Sequence, residues 1–438
     1  RPVMRLRLFR VTSDPSARLS CATALLCGLV FFHAPVLSGQ WPQRRGPHAD
    51  GSVAGPGRSH PLPDQLSVDW IRQIGGGYSG PVVNGDRVWV HSRQGNEEVV
   101  TCFRLATGEP VWRQSYAAPF RQDDSALAHG SGPYGTPALN DGRLFTFGVT
   151  SILIAWNAAT GKLLWRKNSA DEFDPSFPYF GNAASPVVWE DLVFVHFGGD
   201  VRDSVEIPTK SAMLGIRVTD GREVWRWTGD RPAVGATPVV TEIEGQPQLV
   251  FKTRRMIVGA DPRTGRELWR IPFTVTEDNT IVTPLFLDGR LITSDSDWGI
   301  ATWEFQTRDS DWVVRRRWKH RTVSTSMSTP VVAGGLLVGF SYFRKGQLFL
   351  LDPESGNVRW RGRPRSGEHA SLISWGDEVL VFTEDGSLTV GKVKDESFNE
   401  LKKYALGHAT CWAHPAVTGS HIVYRDGDEL AVCLLGRR

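Results

Sequence analysis

A proline, two apolar residues, a short polar turn and an alternating apolar run recur along the chain as one unit. The unit occurs at Pro81-Val82-Val83, Pro137-Ala138-Leu139, Pro186-Val187-Val188, Pro238-Val239-Val240, Pro284-Leu285-Phe286, Pro330-Val331-Val332 and Pro415-Ala416-Val417, with a copy lacking the proline at Ser371-Leu372-Ile373. These eight copies lie 41 to 56 residues apart, near the period of a four-stranded propeller blade. Within each unit, turns such as Asn84-Gly85-Asp86, Asn140-Asp141-Gly142 and Asp288-Gly289 separate alternating apolar runs, which is the pattern of strands joined as hairpins. A third run follows at residues 152–156, 213–218, 347–351 and 430–434.

The third run leads into a glycine turn, and a tryptophan stands four residues beyond the glycine: Gly108 and Trp112, Gly161 and Trp165, Gly221 and Trp225, Gly265 and Trp269, Gly356 and Trp360. A tight turn that needs positive φ selects glycine, and an even spacing puts every such tryptophan on the same face of a fourth strand. The constant offset assigns these residues to a structural docking role around a ring. The last unit runs out after its third strand, whereas the stretch 65–71 carries Trp70 eleven residues before Pro81, in register with a fourth strand. The expectation is an all-β fold: a single eight-bladed β-propeller of four-stranded antiparallel blades over residues 65–438, closed by the N-terminal strand, which completes the last blade and leaves no open sheet edge. Residues 40–64, rich in proline and glycine, read as a leader lying on it.

Composition supports a folded body. The 438 residues are 40% apolar and 22% charged, near the globular average. Tryptophan is abundant at 17 residues, beside 45 glycines and 27 prolines, as many turns and one aromatic per blade require. The formal charge of +3 is unevenly placed, because residues 1–39 carry five arginines and one acid and the remainder is left at −1. No basic surface for nucleic acid follows, and Arg315-Arg316-Arg317 reads as a solvated strand face.

Residues 1–39 read as an export signal, with arginines ahead of a 14-residue apolar run at 19–32 and small residues at Ser38-Gly39 before Gln40. Fourteen residues fall short of a membrane span, although a retained anchor is the alternative. Gln40 stands where a lipid-bearing cysteine would be needed, so a lipoprotein is not expected. The expected location is periplasmic or secreted. Beyond the signal remain Cys102, Cys411 and Cys433, with no CxxC motif; they read as buried apolar residues, with one disulfide left open.

The stretch Asp261-Pro262-Arg263-Thr264-Gly265-Arg266-Glu267-Leu268-Trp269 resembles the D-x-x-T-G-x-x-x-W docking motif of the quinoprotein-type (PQQ-like) repeat family, as do residues 352–360 with serine for threonine and 157–165 with asparagine for aspartate. The resemblance covers residues 65–438, with the fifth unit, ending in Trp318 after an irregular loop, and the seventh, ending near Tyr404, as departures. Trp41-Pro42-Gln43-Arg44-Arg45-Gly46-Pro47 resembles the W-P-x-x-R-G-P opening of secreted bacterial members. The family includes quinone-dependent dehydrogenases and BamB-type binding scaffolds. In the dehydrogenases the resemblance implies a vicinal Cys-Cys disulfide, a tryptophan under the quinone and Glu, Asn and Asp around calcium. No adjacent cysteines exist here and no calcium ligands map onto this sequence, so no cofactor is expected, with PQQ and calcium as the alternative that the site residues do not support.

No nucleophile elbow, phosphate loop, HExxH or kinase set is present. Candidate binding residues fall in loops: His129, Tyr134, Tyr179, His408 and Trp412 at or near the junctions between units, and Trp298 in a tip loop. Asp295, Asp297 and Trp298 read as a solvated hairpin turn, with a calcium or polar-ligand site as the alternative. His408, Cys411, Trp412 and His414 do not form a metal set, because neighbours on a strand alternate faces. The expectation is a non-catalytic, monomeric, exported scaffold for a protein or peptide partner; a quinone-dependent alcohol or sugar dehydrogenase and a polysaccharide- or small-ligand-binding propeller are the alternatives.

Overall fold

The computed structural model describes residues 39–436 apart from 56, 59–60, 123, 125–126, 128–129, 174–179, 199–210, 234, 274–280, 297 and 411. The segment expected to be an export signal lies outside the described residues, save Gly39. The rest forms an eight-bladed β-propeller of antiparallel sheets.

The first blade is built from Val82–Asn84, Arg87–Gln94, Glu97–Arg104 and Pro110–Ala117, paired in that order from the axis outward. Six more blades repeat this plan. The eighth takes Ala416–Thr418, His421–Asp426 and Glu429–Leu434 from the C-terminal end and its outer strand, Ser67–Gln73, from the N-terminal end. Val68 pairs with Cys433 and Trp70 with Val432, so the ring is closed by hydrogen bonds between the two ends of the propeller.

The core is a set of separate clusters lying between neighbouring blades, one of which runs through the seventh, eighth and first. Val82, Trp89 and Cys102 of the first blade pack with Leu144, Ile154 and Trp156 of the second; Val331 and Leu350 of the sixth pack with Ala370 and Val379 of the seventh. A blade buries both faces this way, which explains why its second and third strands are apolar almost throughout, as in Leu192–Phe197 and Gln347–Leu351, instead of alternating.

The tryptophans sit between blades in a recurring manner. Trp70 lies over Gly108 and donates to the Leu105 carbonyl at 2.7 Å; Trp112 lies over Gly161 and donates to Ala158 at 2.9 Å; Trp165 lies over Gly221 and donates to Val218 at 2.9 Å; Trp225 lies over Gly265 and donates to Pro262 at 2.8 Å. Each glycine has φ near +70°, and a Cβ on it would come within 2.4 to 2.8 Å of the ring. Glycine is therefore selected twice, by backbone conformation and by contact with the previous blade's tryptophan.

The fifth and seventh blades differ from the irregular loop expected of the fifth unit. Gly299–Arg308 and Asp311–His320 form a long hairpin with one register shift, between Thr302 and Trp303, and Ser387–Lys394 pairs with Ser397–Ala405 likewise. Their two-residue turns, Asp309-Ser310 and Asp395-Glu396, have positive φ at both positions, the geometry that matches strand twist. Trp318 nevertheless docks as the others do, over Gly356 with its indole donating to Pro353 at 3.0 Å. Trp269 and Trp360, which face the two blades without a glycine turn, pack instead against Phe305, at 4.8 Å between centroids, and Phe398, at 6.1 Å.

Candidate functional site: a blind cup in the axial channel

The site is assembled by the leader and the approach to each innermost strand. Gln40–Trp41 pairs antiparallel with the first blade's innermost strand, Gln40 opposite Asn84 and Trp41 opposite Val83. It therefore climbs the channel from the hairpin-turn end, whereas the sequence suggested a leader lying on the propeller. Pro42 accepts from Leu139 N in the second blade at 2.7 Å, and after the bend the chain returns along the seventh, where Val53 N donates to Ser374 at 2.8 Å.

The Trp-Pro-x-x-Arg-Gly-Pro stretch has a local physical account. Trp41, 1% exposed, stacks on His414 with centroids 6.1 Å apart. Arg45 is buried at the bend with φ of 64° and donates from Nη2 to Asp50 O at 2.6 Å and Pro330 O at 2.7 Å, and from Nη1 to Thr329 O at 3.1 Å. These bonds tie the bend to the start of the sixth blade. Gly46 has φ of 82° and a Cβ there would meet the Trp41 ring at 2.9 Å. Burial holds Arg45 down to about 9, still charged at neutral pH, with the nearby Asp50 opposing that shift.

Above this plug lies a cavity of about 180 Å³ lined by Arg44, Tyr78, Tyr134, Phe180, Ala183, Gly235, Ile281, Met327, His369 and Trp412. Tyr78, Tyr134, Ala183, Gly235, Ile281, Met327 and Trp412 each stand three residues before their unit's proline, and His369 precedes the proline-less seventh unit. The wall thus takes one equivalent position from every blade, and the leader supplies Arg44 from below.

The wall is largely aromatic. His369 stacks on Trp412 at 5.2 Å and 13°, Tyr78 lies 6.0 Å from Tyr134, and Phe180 meets Tyr134 edge-on at 6.1 Å. Tyr134 is held by Gln122 Nε2, which donates to its hydroxyl at 3.2 Å, and by its own donation to Gly130 O at 2.5 Å. His369 Nδ1 lies 3.2 Å from Ser328 Oγ. Burial pushes His369 down to about 3, with Arg44 adding to the shift, so the imidazole is neutral. Arg44 is half-buried, its Nε has no hydrogen-bond partner among the described residues, and burial lowers it to about 10, leaving it cationic.

Of the residues singled out from the sequence, Tyr134 and Trp412 reach this cup. Trp298 does not: it packs on Phe273 at 4.6 Å with Lys319 Nζ 3.5 Å from its ring centroid. Asp295 is fully buried and paired with Lys252 at 3.0 Å, which corrects its reading as part of a solvated turn; Asp297 lies outside the described residues. His408 is exposed, with its backbone N bonded to the Asp426 carboxylate at 3.0 Å. His129, Tyr179 and Cys411 lie outside the described residues. Reading single loops missed Arg44 and the other wall positions; the signal that finds the wall is the fixed offset from the proline.

A calcium-bound quinone would need a different donor set from the one the cup offers. Calcium takes six to eight oxygen ligands, mostly carboxylates and carbonyls. The charged group lining the cup is a guanidinium, no described lining residue is a carboxylate, and no cluster of three or more His, Cys, Asp or Glu suited to a metal occurs among the described residues. Cys102 and Cys433 are free and buried within blades, their thiols pushed up to about 12 by burial. The described residues do not fit that group.

The family model described as outer membrane protein assembly factor BamB matches residues 96–361 and 245–432. The chain belongs to this PQQ-like repeat family. Among curated proteins it is 23% identical to a polyvinylalcohol dehydrogenase of Sphingopyxis sp. over 363 residues, 75% of this chain and 50% of that protein. It is 24% identical to the outer membrane protein assembly factor BamB of Shewanella oneidensis over 216 residues, 48% of this chain and 50% of that one. The chain thus spans about half the length of the curated relatives it matches. Among solved structures, BamB of Moraxella catarrhalis superposes with a TM-score of 0.59 at 14% identity, covering 84% of this chain and 99% of that one. Quinohemoprotein alcohol dehydrogenase of Comamonas testosteroni superposes at 0.64 and 13%, covering 91% and 81%. These likenesses show the fold and do not separate the two kinds of protein.

Proposed function

We propose that the protein is a non-catalytic, exported binding scaffold of the cell envelope that receives a protein or peptide partner at the open end of its channel. The observation that carries this reading is the cup itself. Each of the eight blades contributes an equivalent residue to an aromatic-rich wall, with Phe180 added before the third, and a plug closes the other end, an arrangement suited to holding a group and offering no acid–base pair or activated nucleophile among its described residues. Export, with a periplasmic or secreted location and no lipid anchor, is part of the proposal and rests on residues 1–39. Among the described residues no helix is long and apolar enough to cross a membrane.

The match to a polyvinylalcohol dehydrogenase over 75% of the chain favours a second reading, a quinone-dependent dehydrogenase. One experiment separates the two. Purified protein is mixed with PQQ and calcium, and quinone absorbance and alcohol-dependent dye reduction are followed. The scaffold reading expects neither a shifted absorbance nor reduction, while alcohol-dependent activity would refute it. Cross-linking in an envelope fraction with a photoreactive group at Ile281 is expected to capture a specific protein, and capture abolished by Trp412→Ala would map it to the cup.

A further inference from the structure

Among the described residues, the cup holds a charge with nothing to balance it. Arg44 makes no hydrogen bond or ion pair with a described residue, and its Nε is buried without a partner. The described groups that share its field are Arg45, His369 and His414, none an anion. Arg45 is spent on backbone carbonyls, and burial holds both histidines neutral. An unpaired guanidinium in a partly desolvated site is costly, and a carboxylate, which matches its planar fork with two charge-assisted bonds, removes that cost.

Shape adds a second constraint. Trp41 and the bend at Arg45 fill the channel beneath Arg44, so a chain cannot thread through and a ligand must enter end first. About 180 Å³ is close to the roughly 150 Å³ that accommodates a benzene-sized group. The wall presents the stacked faces of Trp412 and His369 with Tyr78, Tyr134 and Phe180.

Resting on the proposed role in binding a protein partner, the geometry points to a C-terminal recognition cup: the partner's last residue, aromatic or large and apolar, packs against Trp412 and His369 while its α-carboxylate pairs with Arg44. The site would read a chain end and ignore internal sequence.

The test uses the full chain without residues 1–39 and follows tryptophan fluorescence or calorimetry. Three probes are compared: a decapeptide ending in Phe with a free carboxylate, the same peptide as its C-terminal amide, and N-acetyl-phenylalanine. The acid peptide is expected to bind at least tenfold more tightly than the amide, with affinity falling as salt rises. Arg44→Gln should abolish the preference, and Arg44→Lys should restore part of it. Ile281→Trp, which fills the cup and leaves Arg44 in place, should abolish binding at unchanged melting temperature, separating loss of the site from loss of the fold. Equal binding of acid and amide, or a preference that survives Arg44→Gln, overturns the inference and leaves the scaffold reading standing. N-acetyl-phenylalanine binding as tightly as the peptide overturns the peptide end in favour of a small carboxylate. A failure of every probe to bind also overturns it, whereas quinone-dependent activity removes the scaffold reading itself.

Discussion

Gly265 and Gly289 have almost the same backbone, φ of 70° and 73°, in different surroundings. A Cβ on Gly289 meets nothing within 4 Å, whereas one on Gly265 would lie 2.4 Å from the Trp225 ring. Gly289→Ala should therefore cost about 1 to 2 kcal/mol, the strain of a left-handed alanine. Gly265→Ala adds a clash with the indole and should cost a further ~1 to 3 kcal/mol. Paired denaturant titrations check the difference, and equal costs would refute the dual selection of glycine. Trp269→Ala removes a ring 5% exposed that donates to Gln248 and packs on Phe305, and should cost about 3 to 5 kcal/mol. A change within about 0.5 kcal/mol, as at an ordinary surface site, would contradict its place between the fourth and fifth blades.

Two N-terminal elements occupy different places and should fail differently when removed. A chain beginning at residue 57 lacks the plug. It loses Trp41 from the core and the Arg45 bonds to Thr329 and Pro330, yet keeps the closing strand. A chain beginning at residue 76 also lacks Ser67–Gln73, which bares the edge of Glu429–Leu434 and removes Trp70 from Gly108. The first truncation should lower the melting temperature and leave a monomer. The second should lower it much further and associate through the exposed edge, as sedimentation would register. Comparable stability and solubility of the two chains would contradict closure by the terminal strand.

Across the whole molecule, stability should fall in mild acid because histidines are buried neutral between blades and at the channel. His196 sits against Trp227 and Phe251, and burial lowers it to about 4, although Asp230 opposes the shift. The unfolded chain takes up this proton near the ordinary 6.5 and the folded chain only near 4, so the stabilisation is complete above pH 6.5 and is lost as pH falls toward 4. The loss amounts to about 3 kcal/mol for this residue, and His369 acts in the same direction. Melting temperature measured from pH 7 to 4 should drop, and His196→Phe should drop less. Identical slopes would refute the assignment.

Local rules determined much of this protein in advance. Blade number and strand order follow from a repeat in which proline, turn and apolar alternation recur eight times, because hairpins are set by neighbours in sequence. Trp70 marked the strand that closes the ring, since the last unit lacked an outer strand and an open edge is a liability. Tertiary structure decided what depends on residues far apart. Arg44 becomes the cup's cation only because Arg45 bonds to carbonyls nearly three hundred positions away, and Asp295 is buried because Lys252 of the preceding blade meets it. Trp318 docks despite its unusual hairpin because the seat is Gly356 on the next blade. The cup is built on a ring of equivalent residues, one per blade and about fifty positions apart, and such a site exists only once the blades close around an axis and bring those positions within reach of one another.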